Sequence, residues 1–278
     1  MTRIVTTVAE LRAALAALRQ DGGTVGMVPT MGALHAGHIS LVTQARTLSP
    51  HVVVSIFVNP AQFAPHEDFD AYPRTLDADL EKLSGAADIV FSPNAREMYP
   101  DGYATTITVG GPSAGLETDF RPHFFAGVAT VVTKLLLAAS PDIAMFGQKD
   151  YQQLMVVKRL VRDLALPTQI IGAPTMREAD GLAMSSRNAY LGAGDRTVAA
   201  RLNVILKDTA AKARATGDLR AVETAGAEAL LRAGFGSVDY VAIRDAQTLD
   251  PARTLDRPAR ILAAAKLGKT RLIDNMAV

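Results

Sequence analysis

The chain has 278 residues, 49% of them hydrophobic and 21% charged, with 29 Lys and Arg against 28 Asp and Glu. That length allows about two domains, each able to bury its own core, and a net charge of +1 leaves no surplus of cations to follow a nucleic-acid backbone. There is no cysteine, which excludes disulfides, thiolate metal sites and a thiol nucleophile.

In chain order, the spacing of apolar residues predicts a helix over 8–18, a buried strand over 24–28, a helix over 38–48 and a strand over 52–58 (VVVSIFV). A helix over 75–83 and a strand over 88–91 follow, then a helix over 127–139, a strand over 143–146, a helix over 151–164 and a strand over 169–172. Alternation of this kind argues for a Rossmann-like parallel sheet with helices on both faces. Beyond about Pro174 the texture changes to Ala-rich helices over 196–215 and 219–232 and three β-like runs over 238–243, 260–265 and 270–274, the last two joined by a turn at Lys266, Leu267, Gly268 and Lys269. A smaller α+β C-terminal domain is therefore expected, with the division at 1–175 and 176–278. The longest apolar stretch, 124–140, is broken by Lys134, short of the roughly 18 to 20 uncharged residues a bilayer span needs. Glu10 and Arg12 stand where an export signal needs its apolar segment, so a cytoplasmic location is expected.

Ligands of open parallel sheets bind beyond the carboxyl ends of the strands, so the loops that follow strands carry the chemistry. The first is Pro29-Thr30-Met31-Gly32-Ala33-Leu34-His35-Ala36-Gly37-His38. Gly32 and Gly37 would let the backbone approach a ligand, and a helix starts there with unpaired N–H groups. His35 and His38 fall on one side of that helix start, where they suit phosphate contact, a metal pair or simple capping. His51, His66 and His123 are scattered. The second loop holds Gln62, the third Gly147, Gln148, Lys149 and Asp150, and the fourth runs from Met176 through Met184, Ser185, Ser186 and Arg187. Two hydroxyls and a guanidinium in succession suit phosphate oxygens, although the same triplet also makes an N-cap followed by a surface arginine, and Lys149 also reads as a solvated lysine. Gln62 and Gln153 offer amides for a substrate hydroxyl and carboxylate, and equally fit a plain surface role.

Six blocks in order resemble the pantothenate synthetases, also called pantoate-β-alanine ligases: PTMGALHAGH, SIFVNPAQF, YPRTLDADL, FAGVATVVTKLL, MFGQKDYQQL and DGLAMSSRNAYL. The family shares an HxGH signature with other nucleotidyltransferases. The resemblance implies condensation of (R)-pantoate with β-alanine through a pantoyl adenylate, using ATP with Mg²⁺ and releasing AMP and pyrophosphate. It implies ATP contacts at 31–38, at 147–150, at Met176 and at 184–187, with His38 as proton donor, a contact to both pantoate and β-alanine at Gln62, and a further pantoate contact at Gln153. His35, His38, Lys149, Ser185, Ser186 and Arg187 become the catalytic candidates, the loop at 180–188 a lid, and a homodimer the expected assembly. No protein metal ligand is assigned; the Asp77 and Asp79 pair is a weak candidate for touching Mg²⁺ and reads rather as a solvated helix face. Three positions depart from the family pattern: Ala36 replaces a common acidic residue, Ala64 a glycine, and His123 stands one place before the usual histidine. The rival readings are an adenylyltransferase, a metal-dependent hydrolase built on His35 and His38, and a nucleotide-binding module without turnover.

Overall fold

The computed structural model describes residues 2–20, 22–64, 67 and 69–278, so His66 lies outside the described residues. Six strands, β1 (Arg3–Val5), β2 (Val25–Thr30), β3 (His51–Ile56), β4 (Ile89–Phe91), β5 (Ile143–Gly147) and β6 (Gln169–Ala173), form one parallel sheet in the order β1-β4-β3-β2-β5-β6. The connections carry α1 (Val8–Leu18), α2 (Ala36–Leu48), α3 (Leu76–Leu83), α4 (Ala95–Met98), α5 (Glu117–Phe120), α6 (Phe124–Ala139) and α7 (Tyr151–Asp163).

The pleat sorts side chains to two faces. Val53, Ala144 and Phe146 join Leu11, Val128 and Leu154 of α1, α6 and α7 in one core, while Val52, Val54 and Met145 join Leu41 and Leu83 of α2 and α3 in the other. Burial on both sides explains why these strands read as unbroken apolar runs. The chain leaves β2 toward β3 on one side and returns later to β5 on the other, so the strand order reverses between β2 and β5. Loops from those two strands diverge there and open a crevice.

The C-terminal part has α8 (Ala193–Ala199), α9 (Arg201–Thr216), α10 (Leu219–Arg232) and an antiparallel sheet of β7 (Ser237–Asp245), β8 (Ala259–Leu267) and β9 (Thr270–Ala277). It encloses its own core of Leu202, Leu206, Leu230, Ile243 and Ile261. A buried charged network ties it to the parallel sheet's connections: Glu117 accepts from Tyr240 Oη and Arg271 Nη1 at 2.7 Å each, and Arg271 Nε donates to Asp239 at 2.6 Å.

The expected fold class is present, with local differences. The single helix expected over 196–215 is two, because the Ala200 N–H bonds Val198 O and no regular ladder crosses that residue. Neither Gly nor Pro marks the break. The last hairpin turns on Gly268 and Lys269 alone, since pairing continues to Leu267 opposite Thr270. β1, α4 and α5, each three or four residues long, are too short to show a period.

Candidate active site

The first loop closes on an acid from far along the chain. Gly32 and Ala33 both take left-handed backbone, at φ 80° and 49°, which turns the next amides toward α3. Asp79, 0% exposed, accepts from Ala33 N at 2.9 Å and Leu34 N at 2.7 Å. This corrects two expectations. Asp79 is no solvated helix face, and Gly32 is buried with its open side filled by the Asp79 carboxylate and Ile56 rather than by a ligand. Leu34 is a core residue at 3% exposure, and Ala36 is exposed outside the cavity lining.

His35 then caps α2. Its Nδ1 accepts from Gly37 N at 3.1 Å, and Nδ1 of His38 accepts from His35 N at 3.3 Å, with ring centroids 4.1 Å apart. Capping and a role in the cavity are compatible, because each neutral ring that accepts at Nδ1 carries its proton on Nε2. Burial, followed by the Lys149 charge, pushes His35 down to about 4; burial, followed by His35 and Lys149, pushes His38 down to about 3. Both rings are therefore neutral N–H donors at pH 7. The unfolded chain takes up these protons near pH 6.5 and the native rings resist them, so this pair weakens the fold progressively as pH falls from about 6.5 toward 4. In the free protein, NMR titration of the His35 and His38 ring protons is expected to give midpoints below about pH 5. Midpoints near 6.5 would mean that the rings are solvated.

A cavity of about 1020 Å³ opens on this rim. It is lined by Met31, His35, Gly37 and His38; by Gln62; by Gly147, Lys149, Asp150 and Gln153; and by Met176, Met184, Ser185, Ser186 and Arg187. Gln148 lies off the lining, since its Nε2 donates to Gly172 O at 3.2 Å and its Oε1 accepts from Arg260. Lys149 sits on a 3-10 turn between β5 and α7, with Nζ 3.6 Å from Asp150 Oδ1. Ser185 is an N-cap, accepting from Arg187 N at 3.3 Å, and Ser186 Oγ donates to Ala33 O at 3.1 Å, which fastens the fourth loop to the first.

The amide end depends on a residue to which sequence alone assigns no role. Asn59, 1% exposed, donates from Nδ2 to Gln62 Oε1 at 2.9 Å and to Gly127 O at 3.1 Å, while its Oδ1 accepts from Tyr99 Oη at 2.7 Å. With its oxygen held, Gln62 presents its NH₂ to the cavity. Gln153 also lines the cavity, as does neighbouring Gln152, which is buried with its amide engaged by Pro112 O, Gly115 O and Glu117 N. Arg121 forms a two-point ion pair with Glu67, at 2.6 and 2.7 Å, and its guanidinium lies 3.9 Å over the Phe124 ring. His123 lines a separate cavity with Tyr99 and Tyr103, while Phe124 faces the main one. Among the described residues no group of three His, Asp or Glu side chains is placed to hold a metal ion, and no helix is long and apolar enough to cross a membrane.

A parallel sheet with neutral imidazole donors, a lysine and a hydroxyl-bearing loop around its switch point defines a nucleotide-using enzyme of the HxGH type. The family model Pantoate-beta-alanine ligase matches residues 3–277. A pantothenate synthetase of Mesorhizobium japonicum is 60% identical over 277 residues, 99% of this chain and 97% of the relative. The crystal structure of pantothenate synthetase from Thermus thermophilus superposes with a TM-score of 0.92 at 48% identity, covering 99% of each chain. That of pantoate-beta-alanine ligase from Francisella tularensis, complexed with beta-gamma ATP and beta-alanine, gives a TM-score of 0.85 at 34% identity over 100% of this chain and 98% of the other. The chain belongs to the pantoate-β-alanine ligase family, whose reaction is the ATP-dependent condensation of pantoate and β-alanine.

Proposed function

We propose that this cavity carries out that condensation in two steps, with residues 1–175 holding nucleotide and pantoate and residues 176–278 supplying the closing loop. One observation supports the reading above all: His35, His38, Lys149 and the Ser185–Arg187 segment line the same cavity as Gln62 and Gln153, so a triphosphate and a small hydroxy acid fit side by side. The Gln62 and Gln153 amides pair the hydroxyl and carboxylate of pantoate, and the apolar faces of Met31 and Val128 on the same lining suit its methyl groups.

In the first step a pantoate carboxylate oxygen attacks the α-phosphorus, and the bond to pyrophosphate breaks. Negative charge grows on the phosphate oxygens. Lys149 meets it as a cation, His35 and His38 meet it with Nε2–H donors, and Ser185 and Arg187 complete the ring of donors, joined by Ser186 when its hydroxyl turns from Ala33 O to the phosphate. Because both imidazoles are already neutral, they act as fixed dipoles and need not release a proton first. In the second step the β-alanine amine attacks the acyl carbon and AMP departs. The adenylate is open to hydrolysis, so residues 180–188 closing over the cavity would protect it. A Mg²⁺ ion accompanying ATP would supply further neutralisation of phosphate charge and would need few protein ligands; Asp150, on the cavity wall beside Lys149, is the carboxylate that would hold it. The enzyme is proposed to work as a cytoplasmic homodimer.

Pantoate alone is expected to support exchange of pyrophosphate into ATP, while sustained AMP release requires pantoate and β-alanine together. Equal AMP release with pantoate alone, or a dinucleotide product, would overturn this reading.

A further inference from the structure

The C-terminal sheet lines one side of the cavity, and at Asp274 and Asn275 on β9 it grips both halves of the phosphate end. Asn275 on β9 is 3% exposed. Its Nδ2 donates to Gln148 O at 2.9 Å and Lys149 O at 2.8 Å, the two carbonyls of the turn that projects Lys149. Its Oδ1 accepts from Arg260 Nε at 2.6 Å, and Arg260 stacks 4.0 Å over Tyr151 at the start of α7. The preceding residue, Asp274, accepts from both terminal nitrogens of Arg177 at 2.7 and 2.9 Å. Arg177 opens the hairpin that leads to Ser185, and its Nη1 also bonds Gly181 O at 3.0 Å. Two consecutive residues of one strand thus hold the lysine turn and the root of the serine-arginine loop.

A 3-10 turn of three residues has almost no hydrogen bonding of its own to fix its direction. The turn at Gln148–Asp150 has no side-chain cap either. Two successive carbonyls of that turn are held by a single side-chain amide, so the direction in which Lys149 leaves the backbone is set from outside the parallel sheet. We propose that Asn275 is a positioning residue for Lys149, and that with Asp274 it fixes the spacing between the lysine and the Ser185–Arg187 segment across the triphosphate. The inference rests on Lys149 acting on the phosphates, as set out above.

The test is a double-mutant cycle read by pantoate-dependent ATP–pyrophosphate exchange. Asn275→Asp keeps the oxygen that meets Arg260 and removes the two donors; Asn275→Ala removes both. Each is expected to lower kcat/KM for ATP by about 10- to 10²-fold, the scale of a small misplacement of a reacting group, and to leave pantoate affinity by calorimetry unchanged. In a Lys149→Ala background, Asn275→Asp is expected to add less than about twofold. If Lys149→Ala itself leaves exchange at the wild-type rate, the phosphate reading falls. If Lys149→Ala is defective and Asn275→Asp multiplies that defect by its full factor, only the positioning role falls. Wild-type behaviour of Asn275→Asp, or failure of both Asn275 variants to fold, would assign the residue to holding the two parts together and overturn the proposal.

Discussion

Lys149→Ala is expected to slow pantoate-dependent ATP–pyrophosphate exchange by about 10²- to 10³-fold, the usual consequence of removing one preorganised donor from developing charge. Lys149 is a cavity-lining cation that acts on both histidines: its charge contributes to the lowering of His35 and of His38, which places its ammonium within electrostatic reach of both Nε2–H donors. Removing it takes a full charge from a half-buried wall where the replacement is water. His38→Ala removes a neutral dipole in the same place and is expected to cost less than the lysine. Lys149→Arg should recover part of the loss, because the charge persists while the planar fork replaces a compact point charge. The β-alanine requirement of the residual activity should stay near wild type, since the amine enters after pyrophosphate has left. Exchange by Lys149→Ala at the wild-type rate would remove the lysine from the phosphate site.

The loops were legible because chemistry-bearing residues come directly after strands, and a parallel sheet sends all such loops to one edge. His35 and His38 could be read as a pair from helix geometry alone. What supports them could not be read. Asp79 acts on Leu34 across 45 positions, and Asn275 on Lys149 across 126, so neither leaves a local pattern. Gly32 was visible as a required glycine, but its cause was misplaced: the free space beside it belongs to Asp79 and Ile56. Asn59 stood in view between a strand and Pro60, yet only the folded packing shows that its amide, rather than the loop, orients Gln62. The alternation of Val52, Val53 and Val54 between two cores was equally hidden, since a strand buried on both faces has no polar side to reveal its period.

Gly127→Ala tests whether that amide corner depends on helix contact as closely as the distances imply. On helix propensity alone the change should stabilise α6 by about 1 kcal/mol. Packing opposes it. A Cβ at position 127 would lie 2.2 Å from Ala61 O, 2.6 Å from Ala61 C and 2.9 Å from Gln62 N, all backbone atoms of the 3-10 turn at Pro60–Gln62. A flexible side chain could swing aside, but a backbone turn must move as a unit, and overpacking of this kind costs about 1–3 kcal/mol or more. The turn cannot move alone, because Gly127 O and Gln62 Oε1 share the same Asn59 Nδ2 donor, at 3.1 and 2.9 Å. Displacing the turn therefore breaks the hold on Gln62 and rotates its NH₂ away from the proposed pantoate position. The expected result is a net loss of stability, seen as a lower melting midpoint in calorimetry, together with weakening of pantoate affinity by about 10²-fold or more, since a site built to pair a hydroxyl and a carboxylate loses most when its own donor is misplaced. ATP binding, proposed to rest on the loop after β5 and on the fourth loop, should persist. A variant that melts at or above the wild-type midpoint and binds pantoate normally would show that α6 and the Gln62 turn have more room between them than these distances allow.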